Sequence, residues 1–140
     1  MPGEFAARKL KAKRKKMRWK EVKYRRRMLR LWEKEPFEGA PLARGIVLEK
    51  RVIEQKQPHS GLIKAVRVKL FKNGKEVTAV VPKSGSINFI NEHDEVLLEG
   101  LGGSQGGAVG SMHGVKHRVF AVNGVYIELL RTGKRQKPTR

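Results

Sequence analysis

Fifteen of the first 34 residues are Lys or Arg, against only Glu4, Glu21 and Glu33, a net of +12. Such a segment has almost nothing to bury, and blocks of like charge repel until a polyanion meets them. Residues 35–140 carry 17 cations against 10 acids, a net of +7. The chain is therefore two physically different objects, an anchor-like extension and a part that can fold. The total of +19 pulls a compact state apart unless a polyanion neutralises it. The 140 residues allow one domain of ordinary size and exclude a second full one. At 39% hydrophobic the core is small. The absence of Cys excludes disulfides, thiolate zinc sites and Cys nucleophiles, and is compatible with a reducing cytosol. No stretch approaches the ~20 apolar residues of a membrane span, and Met1–Arg18 lacks the apolar region of a secretory signal.

Within the extension, Arg8–Lys16 reads as disordered before it meets its partner. From about Arg18, Trp19, Val22, Met28, Leu29, Leu31 and Trp32 recur near helical spacing, with Arg25–Arg27 between them. Pro36 disfavours helix at the residue before it. The pattern predicts a helix over roughly 18–33 whose apolar stripe packs on something and whose basic faces meet phosphate. The alternative is a solvated surface helix; absent sign alternation and the unbroken run into the tail favour the phosphate reading. A second basic tail spans 134–140, leaving 35–133 as the folding part.

There the periodicity becomes that of strands. A first run holds Ile46, Leu48, Val52 and Ile53, and Val66–Leu70 alternates apolar and basic. Asn73–Gly74 predicts a two-residue hairpin turn into Val77–Val81. A short helical turn follows near Asn88–Glu92, then strands at Glu95–Glu99 and Val115–Val122, a tight turn at Asn123–Gly124, and a last strand at Val125–Leu130. Strands with turns every ~10 residues suit a small sandwich or barrel, and closure removes exposed edges. The expected fold is mainly β, a five-stranded OB-type barrel, a fold that commonly binds oligonucleotides. Function does not follow from fold alone.

Two loops carry chemistry. In Gln55–Gly61 a proline stiffens a polar turn, and Ser60 beside lysine can reach ribose or base edges in a shallow RNA minor groove. An ordinary Pro-Ser turn is the other reading. Gly100–Gly114 is long and glycine-rich, so backbone can approach phosphate closely. It lacks the Gly-Lys-Ser/Thr ending of a nucleotide-binding loop; a flexible surface loop is the alternative. His59, His93, His113 and His117 lack metal-ligand spacing, and Asp94 and Glu95 point to opposite faces of a strand. No catalytic residue, cofactor or metal site is expected.

Gln57-Pro58-His59-Ser60, Lys64–Leu70, Asn73-Gly74, Val80-Val81-Pro82, Asn88-Phe89-Ile90, Asp94–Leu98 and Gly114-Val115, in this order, resemble the universal small-subunit ribosomal protein family numbered twelve, twenty-three in eukaryotes. Lys56-Gln57 and the basic extension resemble its archaeal and eukaryotic branch. The resemblance implies an OB barrel at the decoding centre of the small ribosomal subunit in the cytoplasm. Its partners would be small-subunit rRNA, neighbouring ribosomal proteins and the nearby mRNA–tRNA helix. It implies a decoding loop at Lys56, Gln57, Pro58, His59 and Ser60, with Pro58 and Ser60 beside the codon–anticodon minor groove. A second functional loop maps onto Ser111, Met112, His113 and Gly114, ahead of Val115. Arg14, Lys15, Lys16, Arg18, Arg25, Arg26, Arg27, Lys64, Lys134, Arg135 and Lys137 are the expected rRNA-binding cations. The chain departs from the family pattern at His59 (usually Asn), Ser111 (usually Asp) and His113 (usually Pro). A competing reading is a free OB-fold module, a translation factor or RNA chaperone, binding single strands through aromatic platforms. The positions of most of Phe71, Phe89, Phe120 and Tyr126 suggest core instead. A nucleic-acid enzyme would need a carboxylate or histidine cluster, and none is visible.

Overall fold

A computed structural model describes residues 3–110 and 112–138. It divides into two compact units, Met1–Gly39 and Ala40–Arg140.

The first unit is three helices, α1 (Ala6–Arg18), α2 (Val22–Met28) and α3 (Leu31–Lys34). This corrects both the disordered reading of Arg8–Lys16 and the single helix over 18–33. Ala, Leu, Met, Lys and Arg, which dominate α1, are all strong helix formers. The like-charge pairs Lys9/Lys13, Lys11/Lys15 and Arg14/Arg18 each cost only about 0.2–0.5 kcal/mol. Propensity therefore outweighs repulsion. The expected continuous helix breaks twice, at Trp19–Glu21 and at Arg30, whose φ of 49° is left-handed. No residue of the three helices is buried. Trp19, Val22, Met28, Leu29 and Trp32 stay exposed, and Leu31 of the same stripe is half-buried.

The second unit holds β1 (Leu42–Glu54), β2 (Leu62–Leu70), β3 (Glu76–Val80), β4 (Glu95–Gly100), β5 (His117–Val122), β6 (Val125–Tyr126) and α4 (Ile127–Arg131). Neighbours run β3-β2-β1-β4-β5-β6, and a parallel pairing of β3 with β5 closes β1, β2, β3, β5 and β4 into a ring of five strands. All other pairings are antiparallel. One row of partners runs Arg51, Ala65, Val80, Arg118, Glu99, Leu42. It returns to β1 nine residues from where it left, Arg51 to Leu42, the stagger of a closed, tilted sheet. Inward positions supply the core: Val47, Val66, Val68, Leu70, Val96, Leu98, Val119 and Val122 are essentially fully buried. Each contributes about 1.5–3 kcal/mol on burial.

Asn123–Gly124 is the expected two-residue turn: Val122 pairs with Val125, and φ values of 50° and 82° suit a primed turn. Asn73–Gly74 lies in a longer connection than expected. The Leu70 N–H donates to the Lys75 carbonyl, the Gly74 N–H returns to Leu70, and Asn73 Oδ1 accepts from the Lys75 N–H at 3.1 Å. That side-chain bond gives the chain a wider closed turn than the dipeptide alone. The helical turn is a 3-10 turn at Ser86–Phe89, earlier than 88–92, and β5 begins at His117 rather than Val115. The last strand stops at Tyr126. Ile127 and Leu130 are both buried, a spacing that one helix face satisfies and one strand face does not. The aromatic positions are corrected too. Phe71, Phe89 and Tyr126 are exposed and Phe120 is half-buried against Tyr126, ring centroids 5.0 Å apart, because Phe71 and Phe89 lie in turns and Phe120 and Tyr126 at outward strand positions.

Candidate nucleic-acid interface

β1 outruns its partner β4. Its pairing with β4 covers Leu42–Ile46, whereas pairing with β2 continues to Glu54 opposite Leu62. The far ends of β1 and β2 are thus a two-stranded arm leaving the ring, with Val52 and Leu62 exposed along it. At its tip, the Gln55 N–H donates to the Gly61 carbonyl at 3.0 Å and the Gly61 N–H donates to Gln55 Oε1 at 3.2 Å. Inside this clasp the His59 N–H donates to the Lys56 carbonyl at 3.0 Å. The Gln57–Pro58 peptide bond is cis. Lys56, Gln57, Pro58, His59 and Ser60 are all exposed, so one turn presents the five tip residues together. Gln55 and Gly61 bound the loop expected from the sequence, but their role in clasping it was not expected. Their signal in the sequence is faint: a long amide side chain and a glycine flanking the motif at matched distance.

The second loop leaves β4 at Gly100 and is closed where the Leu101 N–H donates to the Lys116 carbonyl at 2.9 Å. Both its ends lie beside Glu99 and Arg118, on the same row of partners as the root of the arm. A 3-10 turn spans Ser104–Gly106. A Cβ on Gly103 would sit 2.7 Å from the Ala108 carbonyl oxygen, with the Gly107 carbonyl nearer still, so only glycine fits this fold-back. Met112 is half-buried, His113 and Gly114 are exposed, and Val115 is buried as the loop's anchor. Ser111 lies outside the described residues.

The cations separate into those already engaged and those facing solvent. Around the ring Arg44 pairs with Glu95, Arg51 with Glu49, Arg67 with Glu76, Lys83 with Glu128 and Arg118 with Glu99. Lys137, one of the expected RNA ligands, places its ammonium on Asp94, and both side chains are mostly buried. Burial pushes the Asp94 carboxyl up. The Lys137 ammonium, the Asn91 N–H and the Asn123 amide more than offset this and hold it below its ordinary value. Lys56, Lys64, Lys134 and Arg135 are exposed. So are Arg14, Lys15, Lys16 and Arg18 on α1 and Arg25, Arg26 and Arg27 on α2. Of these, Arg26 pairs with Glu35, and the Arg18 guanidinium lies 4.6 Å from the centre of the Tyr24 ring.

Among the described residues no group of three His, Asp or Glu side chains is placed to hold a metal ion. No described helix is long and apolar enough to cross a membrane. What the surface offers is exposed cations, a clasped polar tip and a glycine-shaped loop, the kinds of group that can meet phosphate, ribose and base edges. A family model described as ribosomal protein S12/S23 matches residues 30–140. The match spans the ring, the arm and both loops, and begins after α1 and α2.

Proposed function

Because the chain belongs to the S12/S23 family of ribosomal proteins, a structural and non-enzymatic component of the small subunit, we propose that it acts at the decoding centre. In this reading the staggered ring of five strands is an OB-type barrel. Residues 1–34 and the tail from Lys134 anchor it by neutralising rRNA phosphates, while the barrel holds the Lys56–Ser60 tip beside the codon–anticodon helix of mRNA and tRNA. The observation that carries the reading is the clasped, exposed tip at the end of a two-stranded arm.

The work of the two parts differs in kind. Cations supply affinity that falls steeply with salt, because each neutralised phosphate releases counterions. The tip contributes small, geometry-dependent terms. A neutral hydrogen bond from Ser60 is worth about 1 kcal/mol, roughly a fivefold change in discrimination. Ser60→Ala small subunits are therefore expected to assemble normally and to misread near-cognate codons at a rate shifted by up to about fivefold. An unchanged error rate in a reconstituted decoding assay removes the hydroxyl from the mechanism.

A free single-strand-binding module is favoured only by the exposure of Phe71, Phe89 and Tyr126. Retention of the chain on small subunits through a moderate-salt wash separates the two readings.

A further inference from the structure

The break between α1 and α2 builds a cluster that the charge pattern does not explain. The Trp19 N–H closes α1 on the Lys15 carbonyl, the Lys20 and Glu21 N–H groups turn back to Met17 and Arg18, and α2 starts at Val22. This elbow brings Trp19 against Tyr24, ring centroids 5.4 Å apart and planes at 76°. Arg18 covers a face of Tyr24. Trp19 remains 37% exposed, although an indole normally buries its large apolar area when a core is available. Its surroundings are one-signed: residues 8–30 hold 14 Lys and Arg and a single acid, Glu21.

An exposed aromatic fixed by its neighbours and ringed by cations suits a flat, apolar ligand carried on a polyanion. We infer that the Arg18–Trp19–Tyr24 elbow is a stacking site for an unpaired RNA base, with the flanking lysines and arginines on the adjoining phosphates. The charge excludes a basic partner surface, and the exposed Trp19 indole adds a contact that phosphate neutralisation alone does not need. The inference deepens the reading of the extension as an rRNA anchor and rests on it. It divides the extension's contacts into one that reads the presence of a base and many that read only charge.

The test uses the full chain and two fluorescent twelve-nucleotide RNAs, one ordinary and one with abasic positions, titrated across a range of salt. Trp19→Ala is expected to weaken binding to the ordinary RNA by about 5- to 140-fold per stacked base, with the salt slope unchanged. On the abasic RNA the same variant should bind like the parent. Trp19→Phe should recover part of the loss. Lys15→Gln should weaken both RNAs alike and flatten the slope. Equal losses on both RNAs, or none on either, overturn the stacking site while leaving the anchor intact. A parent chain that binds neither RNA overturns the anchor and the stacking site together. Circular dichroism of Trp19→Ala checks that α1 and α2 persist; a loss of binding that follows lost helix on both RNAs counts against the inference.

Discussion

Replacing Gly61 with Ala tests how the tip is held. A Cβ at this position falls 2.6 Å from Gln55 Oε1 and 2.9 Å from Cδ, the far end of a flexible side chain. Gly61 is not in the left-handed region, so Ala is unstrained there. Gln55 must therefore swing away and give up the Gly61 N–H. The lost bond is neutral and exposed, worth about 0.5–1 kcal/mol. Against it, Ala restricts the unfolded chain and returns about 0.4–1 kcal/mol. The single variant is expected to be nearly neutral in overall stability, which by itself decides nothing. Gln55→Ala removes the same bond from the other side at about 0.5–1 kcal/mol. In that background Gly61→Ala has no side chain left to displace and shows only the gain. The two changes should therefore couple by about 0.5–1 kcal/mol in urea unfolding of the four variants. Amide exchange at residue 61 is the sharper readout. Its protection should fall about two- to fivefold in either single variant and no further in the double. Additivity within about 0.3 kcal/mol, with unchanged protection, refutes the clasp.

Gly103→Ala places its Cβ against two backbone carbonyls that cannot swing aside, and is expected to cost about 1–3 kcal/mol. Gly100→Ala meets nothing within 4 Å and should stay within about 0.5 kcal/mol; equal unfolding midpoints for the two would contradict the fold-back. Asp94 titrates below its ordinary value of 3.8, so its stabilisation is complete above that pH and is lost as the pH falls through the lower folded value. Lys137→Met removes the ammonium that both bonds and attracts the carboxylate, so it raises the Asp94 pKa toward its ordinary value and moves the acid-unfolding midpoint upward; an unmoved midpoint shows that the pair carries no such linkage.

The parts legible in the sequence were those encoded over a few adjacent residues. The Val66–Leu70 alternation appears within β2, and Asn123–Gly124 makes the turn that its dipeptide specifies. The Lys56–Ser60 motif appears as one exposed turn. What stayed hidden depended on competition or on distance. In α1 strong helix propensity competes with charge repulsion, and a run of like charge alone does not show which prevails. Val125–Leu130 contains an apolar series that either period accommodates, and only the burial of Ile127 with Leu130 distinguishes them. The clasp at Gln55 and Gly61 depends on where one amide oxygen falls, which no residue pattern specifies.

The seam between β3 and β5 consists of two residue pairs, Ala79 with His117 and Val80 with Arg118. It also imposes an order in time. A chain growing from its N-terminus at about 5–20 residues per second needs about 2–8 s to travel the 42 residues from Val80 to Val122. Throughout that interval β3 has no partner on its outer side, and β4, when it arrives, lacks β5. α1, α2 and α3 with their cations have by then already emerged. A nascent chain therefore offers its grip on polyanion before it owns a closed ring, and attachment through Met1–Gly39 can precede completion of the unit that it carries.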